Sequence, residues 1–316
     1  MRYGFALLAL VATNAVAQQA PQAPPSGEAA ARAAANALPD TPGTGAYPAI
    51  KQVDPGLVNH VVYRPANLDA LGNRKLGVLV WGNGGCSDDG AGARFHLAEI
   101  ASHGYLVIAP GKILSGPGAA QRPQPRTAEP RKLAVETTWD DVRVGIDWAL
   151  AENGRPGSPY QGRIDPKMVA VAGHSCGGLQ ALQLAGDPRI GAVIVHNSGI
   201  FTDGTNPIAG MTVDKSLLKT LHTPVLYVLG GPGDVAYPNG TDDVRRIEHV
   251  PVMLADLNVG HGGTFREPNG GVVAQVSVRW LDWQLRGDAK AAKTFKGADC
   301  GLCTDKAWTI EKKRID

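Results

Sequence analysis

Short runs of apolar side chains alternate along this chain with longer segments in which apolar residues return every three or four positions. The runs fall at residues 61–63, 77–81, 105–109, 169–172, 192–196, 225–229 and 252–257. Several are apolar on both faces and rich in Val, Ile and Leu, the pattern of strands covered on both sides in a parallel sheet. Between them, "ARFHLAEIASHG" sets Phe95, Leu97, Ile100 and Ala101 on one helical stripe and stops at Gly104. "TTWDDVRVGIDWALAENG" opens on Thr138 and Asp141 in capping-box spacing and carries Val142, Ile146 and Ala149 or Leu150 along one face. A helix is expected to begin over residues 179–184. "GGVVAQVSVRWLDWQLRG" predicts a final packing helix running to Gly287, with Trp280 and Trp283 in the core rather than in a ligand cage. This alternation predicts an α/β domain: a mostly parallel central sheet with helices on both faces.

Composition narrows the picture. With 43% hydrophobic and 19% charged residues, a sizeable core is available, and no helical or coiled-coil repeat period is visible. The formal net charge of +2 is too small to argue for nucleic acid or an anionic membrane surface. The opening "MRYGFALLALVATNAVAQQ" orders a positive residue, an apolar stretch and Ala15-Val16-Ala17, so residues 1–17 read as a secretory signal peptide. No later run approaches the roughly 18–20 apolar residues that a membrane-spanning helix needs. Residues 18–46 are rich in Ala, Pro and Gln and nearly devoid of large apolar side chains. They read as a linker or tail with room for a short Ala-rich helix. Residues 47–316 remain as one domain, expected outside the cytoplasm, in the periplasm or beyond.

The candidate chemistry starts at "VAVAGHSCGGLQ", where Ser175 stands in Gly-x-Ser-x-Gly between an expected strand and an expected helix. That context makes the motif meaningful: a sharp turn holds the hydroxyl out at the carboxyl end of the sheet, and the next helix aims its N-terminal N–H groups there. A structural glycine-rich turn is the competing reading. A serine needs a base, and His261 in "ADLNVGHGGTF" follows the last expected strand, with glycines on either side. Of the other histidines, His60 and His249 read as strand-edge or surface positions, and His196 as a satisfied buried histidine. His174 adjoins the serine and cannot easily turn back onto it, and His96, His103 and His222 lie on helical or linker segments.

The base in turn needs a carboxylate to fix its tautomer. Asp234 in "PVLYVLGGPGDVAYP" follows a strand, with Asp203 and the Asp242-Asp243 pair as fallbacks and Asp256 expected to have a structural partner. The chain order Ser175, Asp234, His261 is that of α/β-hydrolases. An oxyanion site would take one N–H from Cys176 and another from Asn83 or Gly84 in "LVWGNGGCSDDG", with the Asn83 side chain ranked below the backbone. No cofactor or catalytic metal is implied, since the histidines and carboxylates show no His-x-x-x-His or comparable spacing.

Together these segments resemble the α/β-hydrolase superfamily. Within it they are similar to the secreted dienelactone-hydrolase-like esterases, which include bacterial cutinases and polyester hydrolases. The carriers are "GNGG", "LAEIASHGYLVIAPG", "GRIDPKMVAVAGHSCGG", "TPVLYVLGGPGDVAYP", "NVGHGG" and "VRWLDWQLRGD" followed by "FKGADC". The resemblance implies an exported serine hydrolase acting on a small-molecule ester through an acyl-enzyme. Alternatives are a thioesterase or acyltransferase using the same residues, or a non-catalytic exported binding protein on this fold. Polyester hydrolases of the group carry an aromatic residue at Asn83, a methionine at Cys176 and a tryptophan within "HNSGIF", where the nearest aromatic is Phe201. Phe201 is therefore the substrate-binding aromatic that the resemblance offers, and the departures weigh against a polymer substrate.

Two insert-like loops are further candidates for shaping the pocket. One is "SGPGAAQRPQPRTAEPRKL", with Arg122, Arg126, Arg131 and Lys132; the other is "IFTDGTNPIAGMTVDKSLLKTL". The four cysteines of an exported chain should pair, with three possible connectivities. Cys300 and Cys303 can bridge across a tight turn, and the hydrolase resemblance then brings Cys86 to Cys176. Two reduced, buried cysteines are the alternative for that second pair.

Overall fold

The computed structural model describes Met1 and residues 27–120, 134–202 and 206–316. Residues 2–17 of the expected signal peptide and residues 18–26 of the expected linker lie outside the described residues. Nine strands form one sheet: β1 (Ala49–Asp54), β2 (Leu57–Pro65), β3 (Leu76–Gly82), β4 (Tyr105–Pro110), β5 (Ile164–His174), β6 (Ala192–His196), β7 (Val225–Leu229), β8 (Val252–Leu257) and β9 (Trp308–Lys313). The helices are α1 (Gly27–Ala37), α2 (Arg94–Ser102), α3 (Trp139–Gly154), α4 (Cys176–Leu184), α5 (Tyr237–Arg246), α6 (Gly271–Arg286), α7 (Ala289–Ala292) and α8 (Gly301–Thr304).

The strand order is β1-β2-β4-β3-β5-β6-β7-β8-β9. The six strands from β3 to β8 pair in parallel, while β1, β2 and β9 run antiparallel to their neighbours. This is an α/β-hydrolase-like sheet. Every residue of β3, β4, β6, β7 and β8 is buried, which explains why these strands stood out as unbroken apolar runs.

The two-residue period of β3 divides the core. Val78 and Val80 face α3 and α4 with Val142, Ile146 and Leu179, whereas Leu79 and Trp81 face α2 and α6 with Leu97, Ile100 and Trp280. Each such large side chain contributes about 1.5–3 kcal/mol on burial. Trp280 is fully buried and meets Phe295 at 5.1 Å between ring centroids, and half-buried Trp283 stacks on the same ring. Thr138 caps α3 as its spacing predicts, accepting from the Asp141 N–H while the Asp141 carboxylate accepts from the Thr138 N–H.

The stretch expected as linker or tail is engaged with the rest of the chain. α1 buries Ala35, and residues 38–47 then run beside α2. There the Thr44 N–H and hydroxyl donate to buried Glu99, and the Gly45 N–H donates to the Ser102 hydroxyl.

Candidate active site

Parallel strands that end together place their following loops on one edge of the sheet, and there the separated candidates meet. Ser175 occupies the turn between β5 and α4 with φ 55° and ψ −122°, a conformation that L-residues seldom adopt. The turn needs its glycines. A Cβ on Gly177 would lie 2.0 Å from the Gly82 carbonyl oxygen, and one on Gly173 would lie 2.1 Å from that of Gly177. The Ser175 N–H donates to the His196 carbonyl at 2.9 Å, and the Ser198 hydroxyl donates to the Ser175 carbonyl at 2.7 Å. The backbone carrying the hydroxyl is thus held from both sides.

His261 lies 86 residues further on, yet its Nε2 stands 2.9 Å from Ser175 Oγ. Its Nδ1 is 2.6 Å from Asp234 Oδ1. The Nδ1–H donates to the carboxylate, which leaves the Nε2 lone pair facing the hydroxyl. Asp234 is almost fully buried, and burial alone would raise its pKa. Hydrogen bonds from His261, the Ala236 N–H and the Asn197 amide outweigh that and hold the carboxyl at about 2. The aspartate therefore stays ionised at any pH at which the protein would work.

Asn83 and Gly84 line the same cavity as Ser175, and Cys176 directly follows that serine. Cys176 is the first residue of α4, so the helix makes no use of its N–H. Asn83 and Gly84 enter the short 3-10 turn Gly84–Cys86 after β3, and a disulfide ties Cys86 to Cys176 with their Cα atoms 5.2 Å apart. The Asn83 side chain is already engaged: its Nδ2 donates to the Ser87 carbonyl at 2.9 Å and the Pro110 carbonyl at 2.7 Å. Only the backbone of that loop remains for an oxyanion. The second disulfide joins Cys300 to Cys303, so no cysteine is free. Two disulfides fit an oxidising, extracellular environment.

Ser175 and His261 open onto a cavity of about 720 Å3. Its aromatic lining is Trp81, Phe95 and Phe265. Phe201 is not among the lining residues; it is half-buried and packs against the core on the α3–α4 side. Its neighbours Ile208, Met211 and Leu218 are likewise buried in that core. Asp203, Arg122, Arg126, Arg131 and Lys132 lie outside the described residues.

The other acids have structural partners. Asp243 is buried and accepts from Lys215, the Ile200 N–H and Tyr227, while Asp242 pairs with Lys215 and Arg246. Asp256 accepts from the Gly231 N–H at 2.6 Å. No helix among the described residues is long and apolar enough to cross a membrane, and no group of three or more metal-ligating side chains occurs among them.

No protein-family model matches the chain, and no curated protein matches it closely enough to count as a relative.

Several participants escaped the sequence reading. Asn197, with φ 45°, donates its amide to Asp234 Oδ2 at 2.8 Å and to the Gly260 carbonyl at 3.1 Å. Its place directly after β6, a strand that lies between β5, which precedes Ser175, and β7, which precedes Asp234, is the one signal that pointed to it. His174 donates Nε2–H to the His261 carbonyl at 2.8 Å. Burial, and then the charge of His261, push its pKa down to about 4, so its ring is neutral near pH 7.

Behind these groups, Trp81, His96, His196 and Phe265 form a ring cluster with centroids 5.0–5.8 Å apart. His96 is fully buried with neither ring nitrogen hydrogen-bonded. His196 is also fully buried, and its Nδ1 lacks a partner, so it is not the fully satisfied histidine expected. α1 and Arg94 also line the cavity. Nothing in an Ala-rich segment or a helix-start arginine announced that position.

Proposed function

We propose that the protein is an exported serine hydrolase that cleaves a carboxylic ester through an acyl-enzyme. The observation that carries this reading is the unbroken chain from Ser175 through His261 to Asp234, at 2.9 and 2.6 Å, opening onto a cavity. Ser175 Oγ attacks the carbonyl carbon as its proton passes to His261 Nε2, and the carbonyl electron pair moves onto oxygen. The N–H groups of Cys176 and of Asn83 or Gly84 receive that oxyanion, each worth about two to three orders of magnitude in turnover. Collapse of the intermediate breaks the ester C–O bond. The leaving alkoxide takes the proton from His261 Nε2, and the acyl group stays on Ser175. Water repeats the sequence, giving the acid and restoring the serine. Asp234 holds the ring and balances its transient positive charge.

The signal-like first 17 residues and the two disulfides support export. The sequence likeness to secreted dienelactone-hydrolase-like esterases supports a carboxylic ester as substrate. A chromogenic short-chain ester assay on the wild type and Ser175→Ala tests the reading, with a fluorophosphonate probe expected to label Ser175. Turnover that survives in Ser175→Ala, or labelling elsewhere, would overturn it. A wild type that binds ligands without turnover would favour an exported binding protein, and preference for a thioester would redirect the reaction class.

A further inference from the structure

Among the described residues, the loop after β6 that was a candidate for shaping the pocket contributes nothing to the cavity lining, whereas the N-terminal segment does. Arg32, Ala35 and Asn36 of α1 line the same cavity as Ser175 and His261. This wall is pinned by Arg94 at the start of α2, which is itself buried. Arg94 Nη2 donates to the carbonyls of Ala35 at 2.7 Å and Leu38 at 3.0 Å, and its Nε pairs with Asp40 at 2.9 Å. Asp40 is shared with Lys51 on β1. The Pro42 carbonyl then accepts from the Ala49 N–H, and Thr44 reaches Glu99, so the contacts run on towards the sheet. A buried guanidinium spending its donors on two main-chain carbonyls and a carboxylate holds that backbone in place. Without α1 the side of the cavity lined by Arg32, Ala35 and Asn36 would open to solvent.

We propose that α1 is the outer wall of the substrate cavity and limits the protein to compact small-molecule esters, excluding polymer chains. This rests on the hydrolase reading above. The cavity volume of about 720 Å3 lies within the roughly 300–1,000 Å3 of small-molecule sites. A polymer needs an open groove that its chain enters and leaves, and α1 lies across one side. Asn36 is exposed on one flank and borders the cavity on the other, so bulk added there reaches into the space available to substrate.

The test uses the full mature chain. All four native cysteines are bridged, so Asn36→Cys supplies the single thiol that a maleimide can reach. Turnover of p-nitrophenyl acetate is compared with that of p-nitrophenyl decanoate and 1-naphthyl acetate, which enlarge the acyl and the alcohol side respectively. Labelling Asn36→Cys with N-benzylmaleimide should lower kcat/KM at least tenfold for one of the large esters, mainly through KM. The acetate should change less than twofold. Asn36→Trp should reproduce the effect without a label. Asp40→Ala, which releases the pin, should raise the ratio of large-ester to acetate turnover several-fold.

Unchanged ratios in both the labelled protein and Asn36→Trp would overturn the wall. So would turnover of a soluble polyester oligomer as fast as that of the acetate by the wild type. A wild type inactive on all three esters while no serine reacts with fluorophosphonate would instead bring down the hydrolase reading, and the wall with it.

Discussion

Cys86 and Cys176 are bridged across 90 residues of chain, joining the loop after β3 to the residue that follows Ser175. The two stretches of backbone that would donate to an oxyanion are thereby locked to each other.

Replacing both of these cysteines with serine should cost up to about 4–5 kcal/mol, the chain-entropy value for a loop of that length. Turnover should fall as well, because the Cys176 and Gly84 N–H groups would no longer be held in one geometry. The Cys300–Cys303 bridge closes only three residues, so its double serine variant should melt closer to the wild type. Thermal unfolding and ester turnover of both variants, without reductant, check this. Equal losses from the two would refute it.

Ser175→Ala should reduce turnover by roughly four to six orders of magnitude. Asp234→Asn should reduce it by about 10⁴, because the imidazole loses its tautomer partner. Asp243→Asn should act on stability instead, since its carboxylate is spent on Lys215, Ile200 and Tyr227. Steady-state kinetics beside melting curves separate the roles. A larger turnover loss at Asp243 than at Asp234 would mean that the orienting acid is misassigned.

Asn197→Ala removes a donor that holds Asp234 and a bond to the Gly260 carbonyl. It should lower kcat about tenfold with KM little changed, because the residue touches the acid rather than the substrate cavity. Asn197→Asp should be worse, setting a second carboxylate against Asp234. A change in KM alone would show that Asn197 faces the substrate.

Acid should destabilise the protein through its buried histidines. Burial lowers the pKa of His96 to about 3, that of His174 to about 4, and that of His196 far below its ordinary value. Each is neutral in the native state, while the unfolded chain begins to protonate below about pH 6.5. Stability is therefore full above that pH and falls as pH drops towards 3–4, by about 1.4 kcal/mol per unit for a group such as His96. His96→Phe, placed among Trp81, His196 and Phe265, should flatten the decline. Urea unfolding at pH 7, 5.5 and 4.5 reads it directly, and equal slopes in both proteins would exclude His96 as a source.

The parallel strands could be read from the chain because each is buried on both faces, and an unbroken apolar run carries that information locally. β1 and β9 escaped, as "AIKQVD" and "WTIEKK" mix polar and apolar residues. They become strands only because β2 and β8 offer an edge to pair with. α5 escaped too: "YPNGTDDVRR" holds a proline and a glycine and buries little beyond Gly240, Asp243 and Val244.

The sequence by itself determined the α/β layering, and the candidates Ser175, Asp234 and His261 with them, because strand ends and glycine turns are local features. Tertiary structure alone decided that Asn197 braces Asp234, that Phe201 turns to the core, and that an Ala-rich N-terminal segment walls the cavity. Those roles depend on which residues far apart in the chain come within a few ångströms of each other. Such proximity is set by how strands are ordered in the sheet and by which buried donor, here Arg94, finds its acceptors in a distant backbone.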